Sequence, residues 1–378
     1  MGKSYVFYGC IGLFTFIGQL QKGEKMKLKY SCLVFLSVAV IILPREVWPA
    51  AKKPATIADL ALHKGADRQQ ILEEGAKKEG TLTFYTSGII KQAVRPVVDA
   101  FEKRYPFIKV EIWRATGTEL MQRSVEEFKS GKHLFDAMES TQITMVVLQE
   151  LEMMQPFFVP SLAQIEDEGK TNAPGGGVYA IAFRSSGIGV GYNTKLIGKD
   201  QLPKTYQDLL DPKWKGKMAI VGSDTGSNWA GCILNNFGEE LLRKIAQQDF
   251  RLHLVSASSL LDMIINGEYA ASPTIFDSHV VGSKKRGAPV AWLPLEPVHV
   301  NLGQIGLARH APHPHAALLF AEFEVSKESA EIHKGVGYDA FRKDVAPLAQ
   351  PYKKYFGRNR MADVKSDLAL FNRLFVKR

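Results

Sequence analysis

Strand-like and helix-like segments alternate along the first half of the chain, and this alternation restricts the fold more than any other sequence feature. Residues 81–85, 108–112 and 134–138 have the composition of short strands. Residues 90–101 and 143–153 carry apolar side chains at helical spacing. Because repeated strand–helix units favour a parallel sheet flanked by helices, we expect an α/β fold.

Turns rich in hydroxyl groups and glycine follow these predicted strands. Thr116 and Glu119 have the spacing of a capping box, which predicts a helix beginning at this point. In parallel sheets, ligands bind beyond the carboxyl ends of the strands, where helix N-termini present free amides. The sequence therefore predicts a neutral or anion-binding crevice lined by Ser87, Gly88, Thr116, Gly117 and Thr141. Taken singly, each turn could equally be an ordinary helix cap.

A second alternating block spans about 205–292 and follows a Pro/Gly-rich connection at 172–177. Its pattern predicts helices from 205 and from 228, with a turn at 222–227 before the second. Strand-like segments near residues 180 and 298 join the two blocks. We therefore expect two lobes, with a cleft between them and two crossings of the chain.

The first fifty residues are typical of a targeting region. From Met26 a basic start is followed by an apolar run at 31–43 and by small residues at Ala50 and Ala51. Such a run is too short for a helix that spans a membrane, which needs about 20 residues. We therefore predict a signal peptide at about 26–51, within a targeting region at 1–51, and secretion across the inner membrane. A membrane anchor formed by residues 5–44 is the alternative.

Composition excludes several classes of protein. With 46% hydrophobic and 23% charged residues, the chain is neither disordered nor a polytopic membrane protein. Three cysteines cannot build a disulfide scaffold. Removal of residues 1–51 takes six of the 48 basic and two of the 39 acidic residues, which leaves a net charge of +5. Since no block of like charges remains, we expect no nucleic-acid partner. Separately, we expect the protein to be a monomer.

Catalytic and cofactor motifs do not match their required spacing. The glycines at 187, 189 and 191 lack the dinucleotide fingerprint, and residues 164–171 fail the Walker spacing. No Gly-x-Ser-x-Gly elbow is present, so a secreted hydrolase is only a distant alternative. We therefore predict no enzyme activity, no cofactor and no metal site.

Two stretches resemble a known family. Residues 74–80 read EGAKKEG before a strand that ends Tyr-Thr-Ser, and residues 202–217 read LPKTYQDLLDPKWKGK after the Tyr-Asn-Thr at 192–194. This order resembles the extracellular solute-binding proteins of bacterial ABC importers, in the branch that contains the ferric-iron binders. The resemblance covers about residues 70–345.

The resemblance implies a two-lobed periplasmic-binding-protein fold, type II-like, that closes on its ligand by a hinge motion. After a helical lead-in at 52–78, lobe 1 would comprise 79–182 plus 298–345, and lobe 2 would comprise 183–297 plus 346–378. The resemblance also implies that the ligand is delivered to an ABC permease with a cytoplasmic ATPase.

The ligands expected of a ferric-iron binder are missing. Members of that branch use a His after the first strand, a carboxylate after the third and two adjacent tyrosines in the second lobe. Here Ser87 and Gly88 follow the first strand, and the chain contains no Tyr-Tyr pair. We therefore expect a small organic or anionic solute, although an Asp in the pocket would also suit an amine. The alternative is ferric iron.

The predicted pocket combines the crevice residues with groups from the second block, and Arg184 would be its charge clamp. Asp277 could instead simply cap a helix. The predicted binding residues are Ser87, Gly88, Thr116, Gly117, Thr141, Arg184, Thr225, Ser227, Asp277 and His279.

Overall fold

The computed structural model describes residues 56–348, 352–357 and 360–376. The predicted targeting region at 1–51 lies outside these residues. The described residues all belong to one compact unit. Among the residues that the structure describes, no helix combines the length and apolarity that crossing a membrane would require.

The helices of the described part are mostly short. They are α1 (Ile57–Leu62), α2 (Arg68–Glu79), α3 (Arg95–Arg104), α4 (Gly117–Lys129), α5 (Gln142–Glu150), α6 (Asp224–Phe237), α7 (Glu239–Ala246), α8 (Ala257–Ile265), α9 (Asp277–Lys285), α10 (Pro314–Glu324), α11 (Lys327–Gly335) and α12 (Met361–Phe375). A π-helical turn at Ile90–Val94 leads into α3. The predicted capping box is confirmed at α4, where the Thr116 Oγ accepts the Glu119 amide at 3.3 Å.

The strands of the described part are β1 (Thr81–Thr86), β2 (Lys109–Arg114), β3 (Ala137–Thr141), β4 (Met154–Gln155), β5 (Lys170–Ala173), β6 (Gly177–Asn193), β7 (Ala219–Val221), β8 (Arg251–His253), β9 (Ala271–Phe276), β10 (Val290–Leu293), β11 (Val298–Ala308), β12 (Asp339–Ala340) and β13 (Lys354–Tyr355). Two strands, β6 and β11, are much longer than the others.

The strands form one large mixed sheet and a separate pair. The main order is β10-β6-β11-β3-β1-β2, and β7 pairs with β8. The predicted parallel arrangement holds for β1 with β2 and β3, and for β7 with β8. The long strands β6 and β11 run antiparallel to each other, and β11 runs antiparallel to β3. Strands β6 and β11 therefore correspond to the segments predicted near residues 180 and 298.

The buried apolar side chains form separate cores, and the two ends of the long strand β6 contribute to different ones. Ile181 and Phe183 of β6 pack into a core with Phe84 and Phe320, whereas Ile188 packs with a second core. That second core contains Trp229 and, from the C-terminal helix α12, Leu370, Phe371 and Phe375. The α/β class is thus confirmed, while the exact lobe boundaries stay predictions.

Three predicted elements differ from the observed ones. The third strand is Ala137–Thr141 rather than 134–138, because pairing with β1 begins at Ala137 while Leu134 is exposed. No α-helix starts at residue 205; 3₁₀ turns occur instead at Gln207–Leu210 and Pro212–Trp214. There the Asp208 carboxylate accepts two preceding backbone amides and favours a turn.

The helix predicted from residue 228 begins earlier, at Asp224. A glycine makes this close approach to β7 possible, because a Cβ on Gly226 would lie 1.9 Å from the carbonyl oxygen of Val221. The stretch predicted as a turn at 222–227 therefore includes the first turn of α6.

We predict that Gly226→Ala lowers the free energy of unfolding by about 2–3 kcal/mol, since the added methyl must displace a backbone. Gly335→Ala is the matched control, because no atom lies within 4 Å of a Cβ at that helical position. It should change stability by less than about 1 kcal/mol. Urea denaturation of both variants measures the difference, and equal stabilities would contradict the packing of α6 on β7.

Candidate functional site

A cavity of about 390 Å³ lies where several helices begin. The N-cap residues of five helices, α4, α5, α6, α8 and α9, all line it. These residues are Thr116, Thr141, Ser223, Ser256 and Phe276. Each helix is at least nine residues long. The cavity therefore receives the positive ends of five helix dipoles.

Most of the residues predicted from sequence line this cavity. They are Ser87, Gly88, Thr116, Gly117, Thr141, Arg184, Thr225 and His279. Two predicted residues are placed elsewhere. Ser227 lines a smaller cavity of about 30 Å³, and Asp277 lines neither of these cavities.

Arg184 is held by a buried carboxylate. Its guanidinium donates to Oε1 of Glu139, and the two side chains are 8% and 3% exposed. Burial, the largest single effect, lowers the pKa of Arg184, but the attraction of Glu139 together with smaller effects of Tyr338 and Glu324 raises it overall. Arg184 therefore lines the cavity as one half of an ion pair, and its role as a charge clamp stays a prediction. Its partner, Glu139, lies next to the predicted third-strand turn.

The other carboxylate oxygen of Glu139 binds the turn that follows β1, which lines the cavity. Oε2 accepts the Thr86 hydroxyl at 2.5 Å, the Gly88 amide at 2.9 Å and the Ser87 amide at 3.1 Å. With Arg184 on Oε1, both carboxylate oxygens are occupied. The carboxylate thus works as a support for the turn, and it would have to give up these bonds to bind a metal.

Asp277 ties the start of α9 to the long strand β6. Its Oδ1 accepts the Ser186 hydroxyl at 2.5 Å, the Ser278 amide at 2.6 Å and the Gly187 amide at 3.0 Å. Burial raises the pKa of Asp277 to about 6, against the opposing effect of these hydrogen bonds, and the nearby Asp339 raises it further. The side chain therefore supports the site from behind the cavity.

His279 lines the cavity, and one of its two ring nitrogens lacks a hydrogen bond to the described residues. Its Nδ1 is buried and has no hydrogen bond to any described residue. Burial, with a smaller effect from Arg184, lowers the pKa of His279 to about 4. The ring is thus neutral at pH 7 and can exchange one donor and one acceptor with a ligand.

Many lining residues were missed from the sequence, and five of them matter most for ligand binding. Arg114, Asp224, Asn228, Leu254 and Asn301 all line the cavity. Arg114 is exposed, and no described carboxylate lies within salt-bridge distance of it. It is the last residue of β2, so the rule that ligands lie beyond the carboxyl ends of parallel strands could have found it.

The donor set for a hard metal ion is small. Within the described ranges, no group of three or more His, Cys, Asp or Glu residues could hold a metal ion. Tyr338 is the tyrosine among the described lining residues, and the Arg184 guanidinium lies 4.6 Å from its ring centroid. Hydroxyl and amide groups make up most of the remaining polar lining.

We predict that Glu139→Gln lowers the free energy of unfolding by about 3–5 kcal/mol, because it leaves the buried Arg184 without its counter-charge. Glu240→Gln is the matched control, since the Glu240–Lys244 pair is exposed. Denaturant titration should show a large loss only for the first variant. If both variants unfold like the parent protein, the ion pair has no stabilising role.

We also predict a pH effect from Asp277. Because its folded pKa is raised from the ordinary 3.8 to about 6, its contribution to stability is present below pH 4 and is lost as the pH rises through 6. Relative to Asp277→Asn, the parent protein should lose about 3 kcal/mol between pH 4 and pH 7. Unfolding free energies measured at several pH values test this. A difference between the two proteins that does not vary with pH would contradict the assignment.

Residues 135–292 match the model of the family described as bacterial extracellular solute-binding protein. An uncharacterized protein of Haemophilus influenzae is 23% identical over 198 residues, which are 48% of this chain and 56% of that relative. The chain thus spans little more than half the length of the curated relative that it matches.

Solved structures of periplasmic binding proteins are similar over most of the chain. Iron-bound HitA from Pseudomonas aeruginosa has a TM-score of 0.66 at 18% identity, over 78% of this chain and 99% of that one. AfuA from Actinobacillus pleuropneumoniae, solved with exogenous fructose-6-phosphate, has a TM-score of 0.67 at 20% identity, over 79% and 100%. A substrate-binding protein of an Agrobacterium tumefaciens ABC transporter has a TM-score of 0.67 at 18% identity, over 78% and 94%.

These comparisons confirm two predictions. The fold is that of the two-lobed periplasmic binding proteins. The predicted similarity to bacterial extracellular solute-binding proteins is also found, over residues 135–292. That family consists of transport binding proteins.

Proposed function

We propose that this chain, a solute-binding protein of the ABC-transporter type, captures a small organic anion in the periplasm and delivers it to a membrane permease driven by a cytoplasmic ATPase. The observation that carries this proposal is the convergence of five helix N-termini on one cavity. No catalytic step is part of it.

Unused amides at the helix N-termini favour a negative charge. The N-cap side chains of α5, α6 and α9 make no capping hydrogen bond. Asp224 and Asp277 accept one first-turn amide each, from Thr225 and Ser278. The other first-turn amides can bind phosphate or carboxylate oxygens, as helix N-termini commonly do.

The side chains around these amides can balance and orient an anion. Arg114 supplies a positive charge at the rim, while the charge of Arg184 is neutralised by Glu139. Asn228, Asn301 and the neutral His279 can hydrogen-bond the rest of an organic molecule. Burial raises the pKa of Asp224, and this group can pair with a ligand hydroxyl.

Binding in this cavity would favour closure of the lobes. Ser87, Thr116 and Thr141 come from the predicted lobe 1, and Thr225, Ser256 and His279 come from the predicted lobe 2. A solute that touches both sets stabilises the closed arrangement by its additional contacts there. When the receptor docks on its permease and the lobes open, the solute would lose these additional contacts and be released.

Two serine hydroxyls near Asp277 are within hydrogen-bond distance of each other, and one of them donates to that carboxylate. The Ser186 hydroxyl is bonded to Asp277 and lies 2.7 Å from the Ser278 hydroxyl. No described serine hydroxyl is hydrogen-bonded to a histidine ring, which is the pair that a serine hydrolase needs.

Ferric iron is the second candidate, and the similar folds favour it. HitA is described as iron-bound, and a FutA-type protein of Trichodesmium as bound to iron and citrate. Ferric iron prefers phenolate and carboxylate oxygens, which this cavity supplies through Tyr338, Asp224 and Glu119, and the Glu119 carboxylate is already bonded to Thr116. An organic anion suits the hydroxyl-rich and amide-rich lining better.

We predict that a small organic anion raises the melting temperature of the protein. The panel comprises phosphate, sugar phosphates, carboxylates, amines and ferric iron. A ligand at 100 times its Kd adds about 2.7 kcal/mol of stability. Arg114→Gln should weaken anion binding about tenfold, since one charge-assisted contact is lost. Arg104→Gln, an exposed residue outside the cavity, is the matched control and should bind like the parent protein.

Two outcomes would count against an organic anion. A shift with ferric iron alone, together with the visible absorption of an iron–phenolate complex, would establish the iron alternative. A shift with amines alone would reverse the proposed ligand charge.

A further inference from the structure

We propose that Leu254 forms an apolar lip of the cavity that packs against an apolar part of the bound anion, so that the substrates are organic anions with an apolar body. This inference rests on the proposed function and names the substrate class of the same cavity. The observation behind it is an exposed leucine next to two anion-facing helix N-termini.

Leu254 is unusually exposed for its residue type. Its exposure is 80%, whereas Leu196, the next most exposed large hydrophobic residue of the described chain, reaches 54%. Leu254 belongs to none of the hydrophobic clusters. Its neighbour Val255 packs partly against a core of the second block. Since burial of a leucine side chain is favourable, Leu254 has more to gain from a partner than any other apolar residue described.

The backbone places Leu254 beside the anion-binding ends of α6 and α8. It lies between β8 and Ser256, the N-cap of α8. A Cβ on Gly222 would lie 2.7 Å from Cδ2 of Leu254, so the leucine side chain covers this glycine. Gly222 directly precedes Ser223, the N-cap of α6. An anion held by either helix is therefore within reach of the leucine methyl groups.

Further apolar side chains continue the same surface. Ile89, Val255 and Phe276 line the cavity with Leu254. An anionic group bound by the amides would place the rest of the molecule against this apolar lip. Phosphate or a hydrated metal ion would gain nothing from it. The lip would also keep water away from the bound charge, which strengthens its hydrogen bonds to the amides.

Matched probe anions test this inference by calorimetry. The pairs are inorganic phosphate with phenyl phosphate, and acetate with phenylacetate. We expect each phenyl compound to bind at least tenfold more tightly than its partner. Leu254→Ser should remove most of this gain, weakening the phenyl compounds about tenfold and leaving the bare anions unchanged. Leu254→Met should restore it, and Leu196→Ser, an exposed leucine outside the cavity, should bind all probes like the parent protein.

The possible failures separate this inference from the proposed function. If Leu254→Ser weakens both members of a pair equally, Leu254 acts in closure rather than on the ligand, and the inference is wrong. Unchanged binding of the phenyl compounds by Leu254→Ser also overturns it. If anions bind but no phenyl compound binds more tightly than its bare partner, the inference fails while the proposed function stands. If no anion of the panel or the probe pairs binds, the proposed function itself fails.

Discussion

The cavity depends on the buried ion pair between Arg184 and Glu139. Arg184 belongs to the long strand β6, and Glu139 belongs to β3, which pairs with β1. The carboxylate also binds the amides of Ser87 and Gly88, so one interaction joins the long strand, the third strand and the turn after the first. Gly303 of β11 makes room for it, because a Cβ there would lie 2.7 Å from the Arg184 side chain.

With these charges neutralised internally, the helix N-termini decide which ligand suits the cavity. Five helices direct their positive ends at a volume of about 390 Å³, and Arg114 adds a charge at the rim. A carboxylate that is already bonded through both oxygens is a poor ligand for iron. The proposed function therefore combines the fold of the periplasmic binding proteins with a hydroxyl-rich and amide-rich lining, and such groups can bind oxyanions without deprotonation.

Local features of the fold could be predicted from the sequence. The capping box of Thr116 and Glu119 and the strand at Thr81–Thr86 depend on residues close together in the chain. The start of α6 was predicted four residues late, because Gly222 and Gly226 are typical of a turn. In the structure Gly226 instead permits contact between the helix and β7, a tertiary reason that local propensity does not contain.

The α/β class and the similarity to solute-binding proteins could be predicted from the sequence alone, because periodicity, caps and motifs are written in short segments. Only the tertiary structure decided the partners of the charged groups. Arg184 meets Glu139 across 45 residues, and Asp277 meets Ser186 across 91. It also decided that Leu254 is left exposed at the cavity rim. Burial and pairing of this kind depend on how distant segments pack, which no local pattern specifies.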